Sequence, residues 1–174
     1  MALSISHKMK MLWLHERTFY KLTLLLTDMI VVKTLTSKGL VLYYSATGNT
    51  KALVELFDKN RYDVYNVRGF VLSDFKKYDV IVFAMSTWER GMPPKPFKDV
   101  AKEVSSLKSK TCLLLGSGRV DYKFFCGALD LYKQLLEPNN HVHEDIIRAD
   151  GYPSDKVLED AKRTIKEFES YAFK

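Results

Sequence analysis

The sequence predicts an α/β fold, a doubly wound sheet of five parallel strands with helices on both faces. Two observations carry this expectation. Apolar runs without polar alternation recur along the chain, the pattern of strands buried on both faces. Segments with apolar residues at helical spacing separate them. Such alternation builds a parallel sheet, because each crossover returns the chain to begin the next strand in the same direction.

The elements follow in order. Leu40-Val41-Leu42-Tyr43-Tyr44 reads as the first strand. Thr50 to Phe57 reads as a helix with Leu53, Val54 and Phe57 on its apolar side. Tyr62 to Val67 and Val80 to Met85 are the second and third strands, and a helix is expected over Pro94 to Leu107. Thr111 to Leu115 is the fourth strand, followed by a helix over Phe124 to Leu136 with Phe125, Leu129, Tyr132 and Leu136 on one stripe. Ile146 and Ile147 mark the fifth strand. Ser154 caps a last helix whose Val157, Leu158, Ala161, Ile165 and Phe168 face the sheet. Ligands of such sheets sit beyond the carboxyl ends of the strands. The chemistry therefore belongs in the loops after Tyr44, Met85 and Leu115.

Composition agrees with one domain: 174 residues, 47% of them hydrophobic and 28% charged. Two cysteines, Cys112 and Cys126, are too few for a disulfide-stapled secreted protein, so a reducing, cytoplasmic setting is expected. No Cys and His cluster has metal-ligand spacing, and no metal site is expected. The net charge is +6, but residues 1–38 hold six Lys/Arg against two acids, leaving about +2 for the rest. That remainder shows scattered lysines instead of a basic stripe interleaved with aromatics, which argues against nucleic-acid binding.

Residues 1–38 read as an extension and 39–174 as the folded domain. Leu22 to Val32 is interrupted by Asp28 and is shorter than the roughly 20 residues of a membrane span, so no membrane segment is expected. Three readings stand for the extension: a basic targeting peptide, an added helix, or an upstream stretch with true initiation near Met29 or at Leu35.

The first loop, Ser45-Ala46-Thr47-Gly48-Asn49-Thr50, gathers hydroxyls, an amide and a glycine where backbone N–H groups point outward. This composition suits a phosphate cradle or an ordinary capped turn. It lacks the lysine and spacing of a nucleoside triphosphate loop, so a phosphomonoester held by neutral groups is the better match. The second loop, from Ser86-Thr87-Trp88-Glu89-Arg90 to Pro94, puts a tryptophan at the mouth of the sheet, as a stacking surface or folded over the prolines. In the third, Gly116-Ser117-Gly118-Arg119-Val120-Asp121-Tyr122, two glycines would let backbone approach a flat ligand, and Tyr122 offers a second aromatic face. Cys126 has no suitably placed His and reads as a small buried thiol.

S-A-T-G-N-T, S-T-W and G-S-G-x-x-x-Y-x-x-F-C-G-A-L-D, in this order after the first, third and fourth strands, closely resemble the three cofactor loops of short-chain bacterial flavodoxins. Ile147-Arg148-Ala149-Asp150-Gly151-Tyr152-Pro153 resembles that family's fifth strand and turn, and the likeness covers about residues 39–172. The resemblance implies a flavodoxin-like sheet of strand order 2-1-3-4-5 and one bound FMN. Ser45, Thr47, Asn49 and Thr50, with the amides of Ala46 and Gly48, would hold its phosphate. Ser86 and Thr87 would line the phosphate and ribityl side, and Trp88 and Tyr122 would sandwich the ring. The backbone of Glu89 and of Gly116, Ser117, Gly118 and Arg119 would contact its polar edge, with Phe125 and Cys126 supporting the third loop. The implied function is electron transfer between transient redox protein partners by a monomer, with no substrate pocket and no catalytic residues of its own.

Two departures from the family pattern bear on chemistry. Glu89 stands where Gly commonly follows the Trp, and a glutamate would resist positive φ by roughly 1 kcal/mol. Arg119 and Lys123 stand at commonly acidic positions. With Arg90 they would raise the potential of the second electron by roughly 50 to 150 mV, for unit charges about 8 Å from the ring at an effective dielectric near 40. Rival readings are a flavodoxin-like activator of manganese ribonucleotide reductase, a small FMN-dependent reductase, and a flavin-free scaffold. The first fits poorly with Trp88 and the F-C-G-A run, and the second with loops this short; the third predicts colourless protein.

Overall fold

The computed structural model describes residues 38–174, and the readings of the extension lie outside the described residues. Its strands are β1 (Gly39–Tyr44), β2 (Tyr62–Asn66), β3 (Val80–Ser86), β4 (Thr111–Gly118), β5 (His141–Val142) and β6 (Ile147–Asp150). The helices are α1 (Asn49–Val54), α2 (Lys95–Asp99), α3 (Ala101–Ser105), α4 (Gly127–Leu136) and α5 (Asp155–Ala172). All pairings are parallel in the order β2-β1-β3-β4-β5, with β6 also against β4. The expected order 2-1-3-4-5 holds.

The central strands need no polar face because both faces are covered. Leu40, Leu42, Ile81, Phe83, Met85 and Leu114 pack with Phe97, Val104, Leu129, Tyr132 and Leu136 from α2, α3 and α4. Their alternate neighbours Val41, Val82, Ala84, Leu113 and Leu115 pack with Leu53, Val54, Ala161, Ile165 and Phe168 from α1 and α5. The period of two along each strand thus sorts one continuous apolar run into two cores. Full burial of each such side chain stabilises by about 1.5–3 kcal/mol. Tyr132 keeps its hydroxyl satisfied by donating to the Phe97 carbonyl at 2.6 Å.

Three elements differ from expectation, and the β2–β3 crossover, for which no element was expected, is irregular. The fifth strand is two short pieces, because three steps along β4 from Cys112 to Leu115 face five steps from Val142 to Ile147. The surplus residues leave the ladder. Between β2 and β3 the chain crosses in 3₁₀ segments, Val67–Gly69 and Leu72–Lys77, with only Val67 and Phe75 buried. The helix expected over 94–107 breaks at Val100, whose φ of −101° and ψ of 4° leave the helical region. The helix expected from Phe124 begins at Gly127, because Cys126 takes a left-handed φ of 53° that no right-handed helix admits. The last helix starts as expected: Ser154 Oγ accepts the Val157 N–H at 3.4 Å. Among the described residues no helix is long and apolar enough to cross a membrane, and no group of His, Cys, Asp and Glu is placed to hold a metal.

Candidate functional site

Three loops meet at the carboxyl ends of β1, β3 and β4 around an open cleft of about 800 Å³. Its lining takes Ala46, Thr47 and Asn49 from the first loop, Ser86, Thr87 and Trp88 from the second, and Ser117, Gly118, Arg119 and Tyr122 from the third. Arg90, Met92 and Lys98 complete it. Arg90 was expected only as a charge beside the ligand. Met92 and Lys98 carry no local signal: one is brought in by a loop bridge and the other by α2, four residues past the end of that loop.

The first loop is shaped by Gly48, whose φ of +89° turns the chain into α1. Its N–H donates to Ser45 Oγ at 3.1 Å and its carbonyl receives the Ala52 N–H, so Ser45 braces the turn from inside. Thr50 is fully buried, its hydroxyl 2.9 Å from Ser117 Oγ, a bond that ties the first loop to β4. Neither Ser45, Gly48 nor Thr50 lines the cleft.

The second loop presents the indole. The Trp88 N–H donates to the Met92 carbonyl at 2.9 Å and the Trp88 carbonyl accepts from Gly91, closing a tight reversal. Trp88 Nε1 donates to Ser86 Oγ at 3.2 Å, and the ring leans on Tyr44 with centroids 6.4 Å apart. Tyr44 is in turn backed by Arg68, whose guanidinium lies 4.8 Å over its ring and donates to its hydroxyl. So held, the indole remains 44% exposed towards the cleft. The Thr87 N–H donates to the Ser117 carbonyl at 2.7 Å, locking the second loop to β4.

In this loop Arg90 takes φ 57° and Gly91 φ 79°, both in the left-handed region. A left-handed Arg costs about 1–2 kcal/mol, partly offset in any glycine replacement by the entropy of the freer unfolded chain. Arg90→Gly is therefore expected to raise unfolding stability by about 0.5–1 kcal/mol, read from the urea midpoint at unchanged slope. A destabilised variant would mean the side chain anchors the turn.

In the third loop Arg119 donates to both Asp121 carboxylate oxygens, at 3.0 and 2.8 Å, and lies 5.7 Å over Tyr122. The pair holds the Asp121 carboxyl below its ordinary range, chiefly by that hydrogen bond. The two side chains thus form an exposed ion pair beside the cleft. Arg90 and Lys98, both in the lining, are the cations best placed to act on a bound ring. Tyr122 is 49% exposed.

The two glycines answer to the protein's own packing. A Cβ on Gly116 would lie 1.9 Å from the Met85 carbonyl oxygen of the neighbouring strand, and one on Gly118 would lie 2.9 Å from the Cys126 nitrogen. Gly116 is buried in β4 behind the cleft, and Phe125 and Cys126 stand behind the loop. Cys126 is fully buried, with Sγ 3.9 Å from the Ala149 carbonyl.

Burial pushes the Cys126 thiol up to about 11 and the Cys112 thiol up to about 12, from an ordinary 9.0. The unfolded thiols lose their protons first, so the stability these groups give is intact below pH 9 and drains away as pH rises towards 11–12. Thermal midpoints should fall steeply above pH 9, and less steeply in Cys112→Ala, whatever that variant costs at pH 7. Parallel slopes would refute the assignment.

A parallel sheet of this order, with a hydroxyl-rich turn after its first strand and two half-exposed aromatics lining one cleft at its carboxyl edge, defines a doubly wound α/β protein. The sequence model of the family described as Flavodoxin matches residues 41–139. The flavodoxin of Maridesulfovibrio salexigens is 35% identical over 130 residues, 67% of this chain and 88% of that one. The chain belongs to the flavodoxin family. Oxidised Flavodoxin 1 from Bacillus cereus shares its fold with a TM-score of 0.72 at 22% identity, over 78% of this chain and 99% of that one. A Fusobacterium nucleatum flavodoxin bound to flavin mononucleotide does so with a TM-score of 0.64 at 14% identity, over 78% and 98%.

Proposed function

We propose that this protein binds one FMN in the cleft and carries electrons between redox partners. The observation that carries the reading is the pair of half-exposed rings, Trp88 and Tyr122, lining one cleft with the hydroxyl-bearing first loop. The donor set fits the group: Thr47 and Asn49 with loop amides suit a phosphate monoester without a lysine, as neutral donors at a turn of outward N–H groups do. The family membership, and the flavin mononucleotide held by the Fusobacterium protein of the same fold, support it.

In this reading the first loop holds the phosphate, with Ser45 and the Thr50–Ser117 bond keeping its shape. Ser86 and Thr87 face the ribityl chain, with Ser86 also fixing the indole. Trp88 and Tyr122 cover the ring and keep water from its faces. The backbone from Glu89 to Gly91 and from Ser117 to Arg119 meets the polar edge. Bound flavin supplies one-electron chemistry, which the surrounding charges tune. The protein acts as a monomeric carrier without a substrate pocket of its own, and its two free cysteines suit a reducing compartment. Purified protein is expected to be yellow and to take up one equivalent of FMN after flavin removal, followed by calorimetry and by absorbance during stepwise reduction. Colourless protein that takes up no FMN would end the reading.

A further inference from the structure

We infer that the face around the cleft docks an acidic redox protein, steered by charge; this rests on the carrier reading above. The cleft is not the only depression here. A second, of about 490 Å³, adjoins it and shares Arg90 and Tyr122 with it, adding Lys123 and Phe124. Five of the nine large apolar side chains exposed among the described residues gather on these two loops: Trp88, Met92, Val120, Tyr122 and Phe124, between 39% and 61% exposed. An apolar cluster of this kind, larger than a single ring needs, marks a contact surface.

The charges around it select the partner. Arg90, Lys98, Lys102 and Lys123 are exposed, and the ion pairs of this region join other residues, Lys95 to Asp99 and Arg119 to Asp121. The acids of the same segments are mostly engaged: Asp99 with Lys95 and Asp121 with Arg119, each pair within 2.9 Å. Asp150 accepts the Val120 N–H at 3.2 Å. Glu103 has one carboxylate oxygen buried, and Glu89 is the remaining acid. Lys98 of α2 lines the cleft and Lys102 of α3 does not, so the positive charge is not confined to the lining. Exposed cations flanking exposed apolar residues attract a complementary acidic surface and steer its approach. A nucleic acid would instead track a continuous basic stripe.

The test uses the FMN-loaded full chain, reduced and mixed in stopped flow with oxidised cytochrome b5, an acidic probe, or cytochrome c, a basic one, from 10 to 300 mM NaCl. The rate with cytochrome b5 should fall about tenfold over that range as screening shortens the reach of charge, while that with cytochrome c should not fall. The variant Lys102→Glu, at a residue outside the cleft lining, should keep its flavin absorbance yet lose much of the rate and salt slope with cytochrome b5. As a readout without electron transfer, the Trp88 indole N–H resonance should shift when oxidised cytochrome b5 is added to oxidised protein. A rate with cytochrome b5 that is flat or rises with salt, or tighter binding of an oligo-dT strand than of cytochrome b5, would overturn the inference. A chain that takes up no FMN would sink the carrier reading alone, since the resonance titration still judges the docking surface.

Discussion

Gly116→Ala is expected to be the most damaging single methyl group in the domain, lowering stability by about 3 kcal/mol or more. The added Cβ would sit 1.9 Å from the Met85 carbonyl oxygen and 3.0 Å from its carbon, with Leu129 Cδ2 at 3.3 Å. The first two contacts are backbone, so no rotamer change relieves them. Gly116 pairs with Met85 on one side and Arg148 on the other, so β4 is hemmed in by β3 and β6 and cannot shift sideways without breaking a ladder. A close-packed interior transmits such a displacement instead of absorbing it. The thermal midpoint should drop by about 10 °C or more for a domain of this size. A variant within about 1 kcal/mol of the parent would mean the strands are spaced differently there. Because the cleft's Ser117 follows directly, FMN affinity should fall as well.

Trp88→Ala is expected to weaken FMN binding about 100-fold or more while leaving the fold nearly as stable as before. The indole is almost half exposed, held by one hydrogen bond to Ser86 and a tilted contact with Tyr44, so its removal opens no closed cavity. Ring-on-ring contact together with the buried area of a large aromatic is worth about 3 kcal/mol, and every 1.4 kcal/mol is a tenfold change in affinity. Trp88→Phe should recover most of the loss. Calorimetry with FMN and with riboflavin, which lacks the phosphate, separates the two halves of the site. Trp88→Ala should weaken both ligands by a similar factor, whereas Thr47→Ala should weaken FMN and leave riboflavin little changed. Equal affinities of parent and Trp88→Ala protein would remove the indole from the binding surface.

Much of this was legible from the chain because its signals are local. A strand buried on both faces needs five or so consecutive apolar residues, as in Leu40 to Tyr44 and Val80 to Met85, and a helix needs a stripe, as in Ala161, Ile165 and Phe168. Those periods, with polar and glycine-rich segments following the first, third and fourth strands, were enough for the fold class and for the end of the sheet that carries the site. The three loop motifs, in order, were enough for the family.

Tertiary structure alone decided which members of those loops face the cleft. Thr50 and Asn49 are adjacent in a motif that looks uniform, yet one hydroxyl is buried against Ser117, 67 residues away, and the other side chain lines the opening. The same holds for the pairing of Arg119 with Asp121, for the left-handed turn at Arg90, and for Lys98 reaching the cleft from a helix. The physical reason is common to all of them. Hydrophobic period is set by neighbours along the chain, whereas hydrogen-bond pairing, backbone strain and charge compensation depend on the register of strands and loops that meet only once the sheet has closed.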